Sequence, residues 1–106
     1  MTDMRDREKA FENKFAHDEE LKFKSMARRN KLLGLWAAEL LGKTGDEAEA
    51  YAKTVVIADL EEAGDEDVYR KVRADFDAAG IDKSEHQLRS KMLELLGIAV
   101  EQIQNS

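Results

Sequence analysis

Three clusters in this 106-residue chain have the composition of a chemical site. Gly42-Lys43-Thr44 ends like a phosphate-binding loop, in which backbone amides and a lysine cradle phosphate oxygens. The complete motif needs a glycine five positions before Gly42, where Ala37 stands, and a strand ahead of it rather than a helix. A helix stop at Gly42 and an N-cap at Thr44 explain the same residues without a ligand. A lysine beside exposed amides at a helix N-terminus can still hold an anion, so weak nucleotide binding near Lys43 stays open. Asp65-Glu66-Asp67 supplies carboxylates of the kind that bind calcium, but the alternating ligands and internal glycine of an EF-hand loop are missing. Acids in the first turn of a helix account for that cluster. Cysteine is absent and only His17 and His86 are imidazoles, which excludes thiolate catalysis and disulfides and leaves zinc improbable ligands. No nucleophile, base and orienting group stand in a recognisable arrangement, so no catalytic residue, metal or cofactor is assigned and the chain is not expected to be an enzyme.

The more informative chemistry is that of recognition. Met4, Phe11 and Phe15 recur at helical spacing on one narrow stripe of a segment whose other sides are densely charged. A helix made there could bury little of itself against its own domain, so Phe11 and Phe15 read as available to a partner, with ordinary core residues of an arm packed back on the bundle as the alternative. Downstream, Leu33, Trp36, Ala37, Leu40 and Leu41 form a wide apolar stripe that a globular helix buries at home, with Trp36 as core rather than ligand platform. Lys22, Lys24, Arg28, Arg29 and Lys31 make a basic stretch, and Asp59, Glu61, Glu62, Asp65, Glu66 and Asp67 an acidic one. These read as solvated faces that partly complement each other across the fold, with partner docking by the basic stretch as the alternative. A net charge of −6 argues against nucleic acid as a partner, because phosphate contacts need a net basic face.

The elements that must position these residues are helices. Proline is absent and charged residues make up 38% of the chain, which favours helices with wet outer faces and an all-α fold. Asp18 has the side chain of an N-cap, with Glu19 and Glu20 in the first turn, predicting a helix over 19–41 that stops at Gly42. Thr44 with Glu47 has capping-box spacing and opens a second helix carrying Ala48, Tyr51, Ala52, Val55 and Val56 towards Gly64. Asp65 is expected to cap a third, with Val68, Val72, Phe76 and Ala79 on one face, ending at Gly80. Asp82 with Glu85, or Ser84 with Gln87, opens the last, carrying Leu88, Met92, Leu95, Leu96, Ala99 and Ile103. The expectation is a four-helix bundle over 19–106 with a flexible or partly helical arm over 1–18, hinged at His17, Asp18 and Glu19. His17, with an ordinary pKa of about 6.5, is a candidate pH sensor at that hinge, although a plain surface histidine is the simpler reading. The N-terminus lacks an apolar signal core and no apolar run reaches the ~18 residues needed to span a bilayer, so a cytoplasmic protein with no direct membrane insertion is expected.

The stretch from Arg7 to Ala38 closely resembles the zeta subunit family, small alphaproteobacterial inhibitors of the F-type ATP synthase. The matching residues are Arg7, Glu8, Ala10, Phe11, Glu12, Phe15 through Leu21, Phe23-Lys24 and Ala27 to Ala38, with a looser match through Gly42, Tyr51, Val55-Val56, Asp59-Leu60 and Gly80. The resemblance implies an inhibitor of ATP hydrolysis, peripheral to the inner membrane through the synthase. Its N-terminal segment would enter a catalytic interface between the alpha and beta subunits and reach the gamma stalk. Residues 1–18 match that segment, which makes Arg5, Arg7, Glu8, Phe11, Glu12, Lys14 and Phe15 the candidate partner-binding residues. Two alternatives remain at this point: a docking or assembly subunit of the same complex without inhibition, and a small helical nucleotide sensor using Lys43, Thr44 and Trp36.

Overall fold

A computed structural model describes the backbone of residues 4–59 and 65–105, and the side chains of 19–59 and 65–105. Its helices are α1 (Met4–Leu40), α2 (Gly45–Ala58), α3 (Glu66–Ala79) and α4 (Glu85–Gln104), and among the described residues there is no strand. At 1.5 Å per residue α1 is about 55 Å long, so it accounts for most of the 62 Å long axis of the molecule. It is also the central helix: α2 and α4 pack along it, α3 touches it more lightly, and α3 rests mainly on α2.

The α1 boundary differs from the sequence expectation. Asp18 does not start a helix, because α1 runs unbroken through His17, Asp18 and Glu19 from Met4. An N-cap residue opens a helix only where the preceding residues fail to be helical. Residues 4–17 contain neither glycine nor proline and are rich in Glu, Lys, Arg and Ala, so extending an existing helix through them costs little.

Glycine sets the other end of α1. Gly42 takes a positive φ of 79°, its N–H reaches the Glu39 carbonyl at 3.1 Å, and the Lys43 N–H reaches back to Ala38 at 2.8 Å. This pair of bonds is a Schellman motif, and it repeats at Gly80, where Gly80 bonds Asp77 and Ile81 bonds Phe76. Ser84 opens α4 with both halves of a capping box: its Oγ accepts from the Gln87 N–H at 3.0 Å while the Gln87 Oε1 accepts from the Ser84 N–H at 2.8 Å.

The other two expected caps do not form as such. Thr44 precedes α2 but its side chain makes no capping bond, and Asp65 precedes α3 with its carboxylate turned to an arginine instead. Helix α2 also stops at Ala58 rather than continuing to Gly64. The β-branched run Val55-Val56-Ile57 followed by Asp59 is a weak helical terminus, and residues 60–64 lie outside the described part.

The core joins Leu33, Ala37 and Ala38 of α1, Tyr51 and Val55 of α2, Val68, Val72 and Phe76 of α3, and Leu88, Met92 and Leu95 of α4. Trp36 packs at its edge, half-buried, with its ring edge-on to Phe76 at 5.7 Å. Two residues expected on buried faces are exposed: Leu40, the last residue of α1, and Ala79 beside the Gly80 stop.

Candidate partner-binding surface

The body of the protein grips the C-terminal half of α1 by two devices. Gly34 lies against α2 so closely that a Cβ there would stand 2.6 Å from the Ala52 Cα. Only glycine permits that approach, which lets Leu33, Ala37 and Ala38 reach the core on either side of the crossing. The second device is polar. Arg29 is 1% exposed, and its Nε donates to Asn30 Oδ1 while Nη2 donates to Asp65 Oδ1, both at 2.8 Å. A buried guanidinium needs such partners, because leaving one donor unmet costs about 1 to 3 kcal/mol.

That contact joins the basic stretch to the acidic one, as the sequence suggested for the two faces. The acids of the cluster each take an arginine: Asp65 with Arg29 at 2.8 Å, Glu66 with Arg89 at 2.9 Å and Asp67 with Arg70 at 3.1 Å. Arg89 also pairs with Glu85 at 3.2 Å and lies 4.1 Å from the centre of the Tyr69 ring. Partial desolvation lowers its pKa, but the bonds and charges of Glu66 and Glu85 outweigh this and raise it. Among the described residues no group of three or more His, Asp or Glu side chains is arranged to hold a metal.

A third polar cluster ties α2 to α3. Tyr51 donates to Asp75 Oδ2 at 2.7 Å, and Lys71 donates to the same oxygen at 2.8 Å. Burial pushes the Tyr51 hydroxyl well above its usual value, reinforced by the hydrogen bond and charge of Asp75. Burial also pushes the Asp75 carboxyl up, but the hydrogen bonds from Lys71 and Tyr51 and the charges of Lys71 and Lys43 outweigh it and hold it below 3.8. Lys43 therefore acts on a carboxylate of the fold. The surface depression beside Trp36 is lined by Lys83, His86, Gln87, Ser90, Lys91 and Glu94, without Lys43 or Thr44.

Arg5, Arg7, Glu8, Phe11, Glu12, Lys14, Phe15, His17 and Asp18 fall on the N-terminal half of α1, and their side chains lie outside the described part. The hinge residue Glu19 is described and exposed. What the structure brings together is the root of that segment. Along α1 the first described buried side chain is Ser25, followed by Arg29, Asn30 and Leu33. The sequence reading missed Gly34 and the Arg29-Asn30 pair. A polar pair standing between Met26 and Leu33 was a readable sign of a buried polar contact, whereas nothing local to Gly34 announces its neighbour.

Comparison with known proteins places this architecture. A protein solved by solution NMR is 53% identical to the chain, with a TM-score of 0.71 over 80% of this chain and 96% of that protein. No curated protein matches the chain significantly. The family model described as ATPase inhibitor subunit zeta matches residues 1–102, taking in both the N-terminal half of α1 and the bundle. The chain belongs to the ATPase inhibitor subunit zeta family.

Proposed function

We propose that this chain inhibits ATP hydrolysis by the F-type ATP synthase, with residues 1–18 entering a catalytic alpha/beta interface and obstructing rotation of the gamma stalk. The observation that carries the proposal is the form of α1: one helix from Met4 to Leu40 whose C-terminal half is embedded in a folded body. A helix rooted in that way transmits force to its base instead of giving way. About 18 helical residues reach roughly 27 Å, long enough to act as a wedge between moving surfaces. Because the family match begins at residue 1, it supports a role for the segment as well as for the bundle.

The energetics rest on the two aromatics. Full burial of Phe11 and Phe15 contributes about 1.5 to 3 kcal/mol each, and a segment that is already helical as part of α1 avoids much of the roughly 2 to 5 kcal/mol that ordering on binding costs. The two phenyl rings are therefore the main apolar contribution to docking. Arg5, Arg7 and Lys14 would pair with acidic groups of the head, while Glu8 and Glu12 support the helix through bases three or four residues away. His17, Asp18 and Glu19 mark where the docked segment would meet the body, and protonation of His17 there would add positive charge beside the two acids. No described helix is long and apolar enough to cross a membrane, so attachment to the synthase would be what holds the chain at the membrane.

The test is a dose curve of ATP hydrolysis by purified catalytic head against the parent, Phe11→Ala and Phe15→Ala. Each substitution is expected to weaken inhibition by about ten- to a hundredfold, as for an interface anchor. Equal potency of both variants and the parent would remove the N-terminal segment from the inhibitory role and assign inhibition to the bundle, whereas a parent that binds without inhibiting would be a docking subunit.

A further inference from the structure

Five large hydrophobic residues are prominently exposed among the described ones, and Phe23 is the only aromatic: Phe23 at 68%, beside Leu93, Ile57, Ile98 and Leu40. Every other described Phe, Tyr or Trp has a ring or polar partner. Trp36 meets Phe76, Tyr51 meets Asp75 and Lys71, and Tyr69 meets Arg89. An isolated exposed apolar residue needs no explanation. Phe23, however, stands four residues after exposed Glu19, itself four after Phe15, which is four after Phe11. Residues spaced by four along a helix form one ridge, the unit by which a helix packs into the groove of a partner. Since α1 is unbroken across these positions, Phe11, Phe15, Glu19 and Phe23 belong to a single ridge.

We propose that Phe23 is a third contact residue for the catalytic head, seated in an apolar pocket rimmed by carboxylates. The pocket's charge follows from the surroundings of the ring. Lys22, Lys24, Arg28 and Lys31 are exposed on this stretch of α1 against the two exposed acids Glu19 and Glu20, so residues 19–31 present a net positive surface. Of these, Lys24 pairs with Glu20 at 3.0 Å and Arg28 donates to Gln102 at 3.3 Å, which leaves Lys22 and Lys31 as the cations for a partner to meet first. A partner covering Phe23 must therefore meet several cations at once, and an acidic rim is the surface that does so favourably. The docking surface then extends beyond residues 1–18 onto the base of the helix, where the body begins at Ser25.

This inference rests on the proposed inhibition, and the experiment separates the two. Full-length parent, Phe11→Ala, Phe23→Ala and Lys22→Gln/Lys31→Gln are titrated against the catalytic head at low and high salt, with thermal melts of each free protein. Phe23→Ala is expected to weaken inhibition about tenfold, the loss of an interface anchor, with an unchanged melting midpoint. The double lysine variant should associate more slowly and with a smaller salt dependence. If Phe11→Ala weakens inhibition while Phe23→Ala keeps full potency, Phe23 is outside the interface and this inference alone falls. A parent that neither binds nor inhibits removes the proposed function and this inference with it. A large drop in the melting midpoint of Phe23→Ala would make the ring part of the fold and overturn the assignment.

Discussion

Gly34→Ala sets two effects of known sign against each other. Replacing glycine by alanine inside a helix favours the helix by about 0.8 to 1.0 kcal/mol. The added Cβ, however, would lie 2.6 Å from the Ala52 Cα, 3.0 Å from its Cβ and 3.3 Å from its carbonyl oxygen. Carbon atoms rest about 3.5 to 4.0 Å apart, so α1 and α2 must separate by roughly 1 Å. The nearest atom is backbone and cannot rotate aside. The cost therefore falls in the upper part of the ~1 to 3 kcal/mol typical of an overpacked core, leaving a net loss of about 1 to 2 kcal/mol. For a domain of this size that lowers the melting midpoint by roughly 5 to 15 °C. Gly97→Ala is the control within the same molecule: Gly97 is exposed in α4 and an added Cβ meets nothing within 4 Å. It should gain up to about 1 kcal/mol and melt a few degrees higher. Melts followed by far-ultraviolet circular dichroism on the two variants give opposite shifts if the crossing is as close as described. A Gly34→Ala protein melting at or above the parent would refute the close approach of α1 to α2.

Asp65→Ala leaves the Arg29 guanidinium buried with Asn30 as its remaining described partner; because the Asp65 side chain is 43% exposed, water offsets part of the loss. The expected destabilisation is about 1 to 3 kcal/mol, below the figure for a fully enclosed pair, read from denaturant midpoints at unchanged slope. The Asp75 carboxyl is held below its unfolded value of 3.8, so its contribution is present above 3.8 and is lost as pH falls through the lower folded value. Asp75→Asn should thus melt below the parent at neutral pH, with the difference shrinking in acid; a constant difference across that range would contradict the assignment. Tyr51 has the opposite sign: its hydroxyl is raised above 10.0, so its contribution is present below 10.0 and declines as pH rises further, and Tyr51→Phe should remove that alkaline loss.

The fold was legible where local signals and tertiary packing agree. Gly42 and Gly80 end helices because a positive φ is needed there, and Ser84 with Gln87 closes a capping box, one of the two that the spacing offered. The apolar spacing of Val68, Val72 and Phe76, and of Leu88, Met92 and Leu95, marked the buried faces correctly. Legibility failed where a side chain had a better offer from elsewhere in the fold. Asp65 has the type and place of a helix cap, but a buried guanidinium on α1, distant in sequence, claims its carboxylate. Asp18 failed for a different reason, since a cap cannot halt a helix whose upstream residues include no glycine or proline and are rich in Glu, Lys, Arg and Ala.

The candidate surface was half legible. Phe11 and Phe15 stood out because an apolar stripe crosses a charged background, while Phe23 was noted only among the residues that carry the resemblance and was given no binding role. Its significance needed two structural facts, the unbroken course of α1 and the exposure of the ring.

Adding the purified full chain to purified catalytic head, in parallel with a chain lacking residues 1–17, and recording the rate of ATP hydrolysis tests the central claim most directly. The account predicts dose-dependent loss of hydrolysis with the full chain and little or none with the truncated one, which keeps a cooperative melt because the described core starts at Leu33. Undiminished hydrolysis in the presence of excess full-length chain, or equal inhibition by the truncated form, would contradict it.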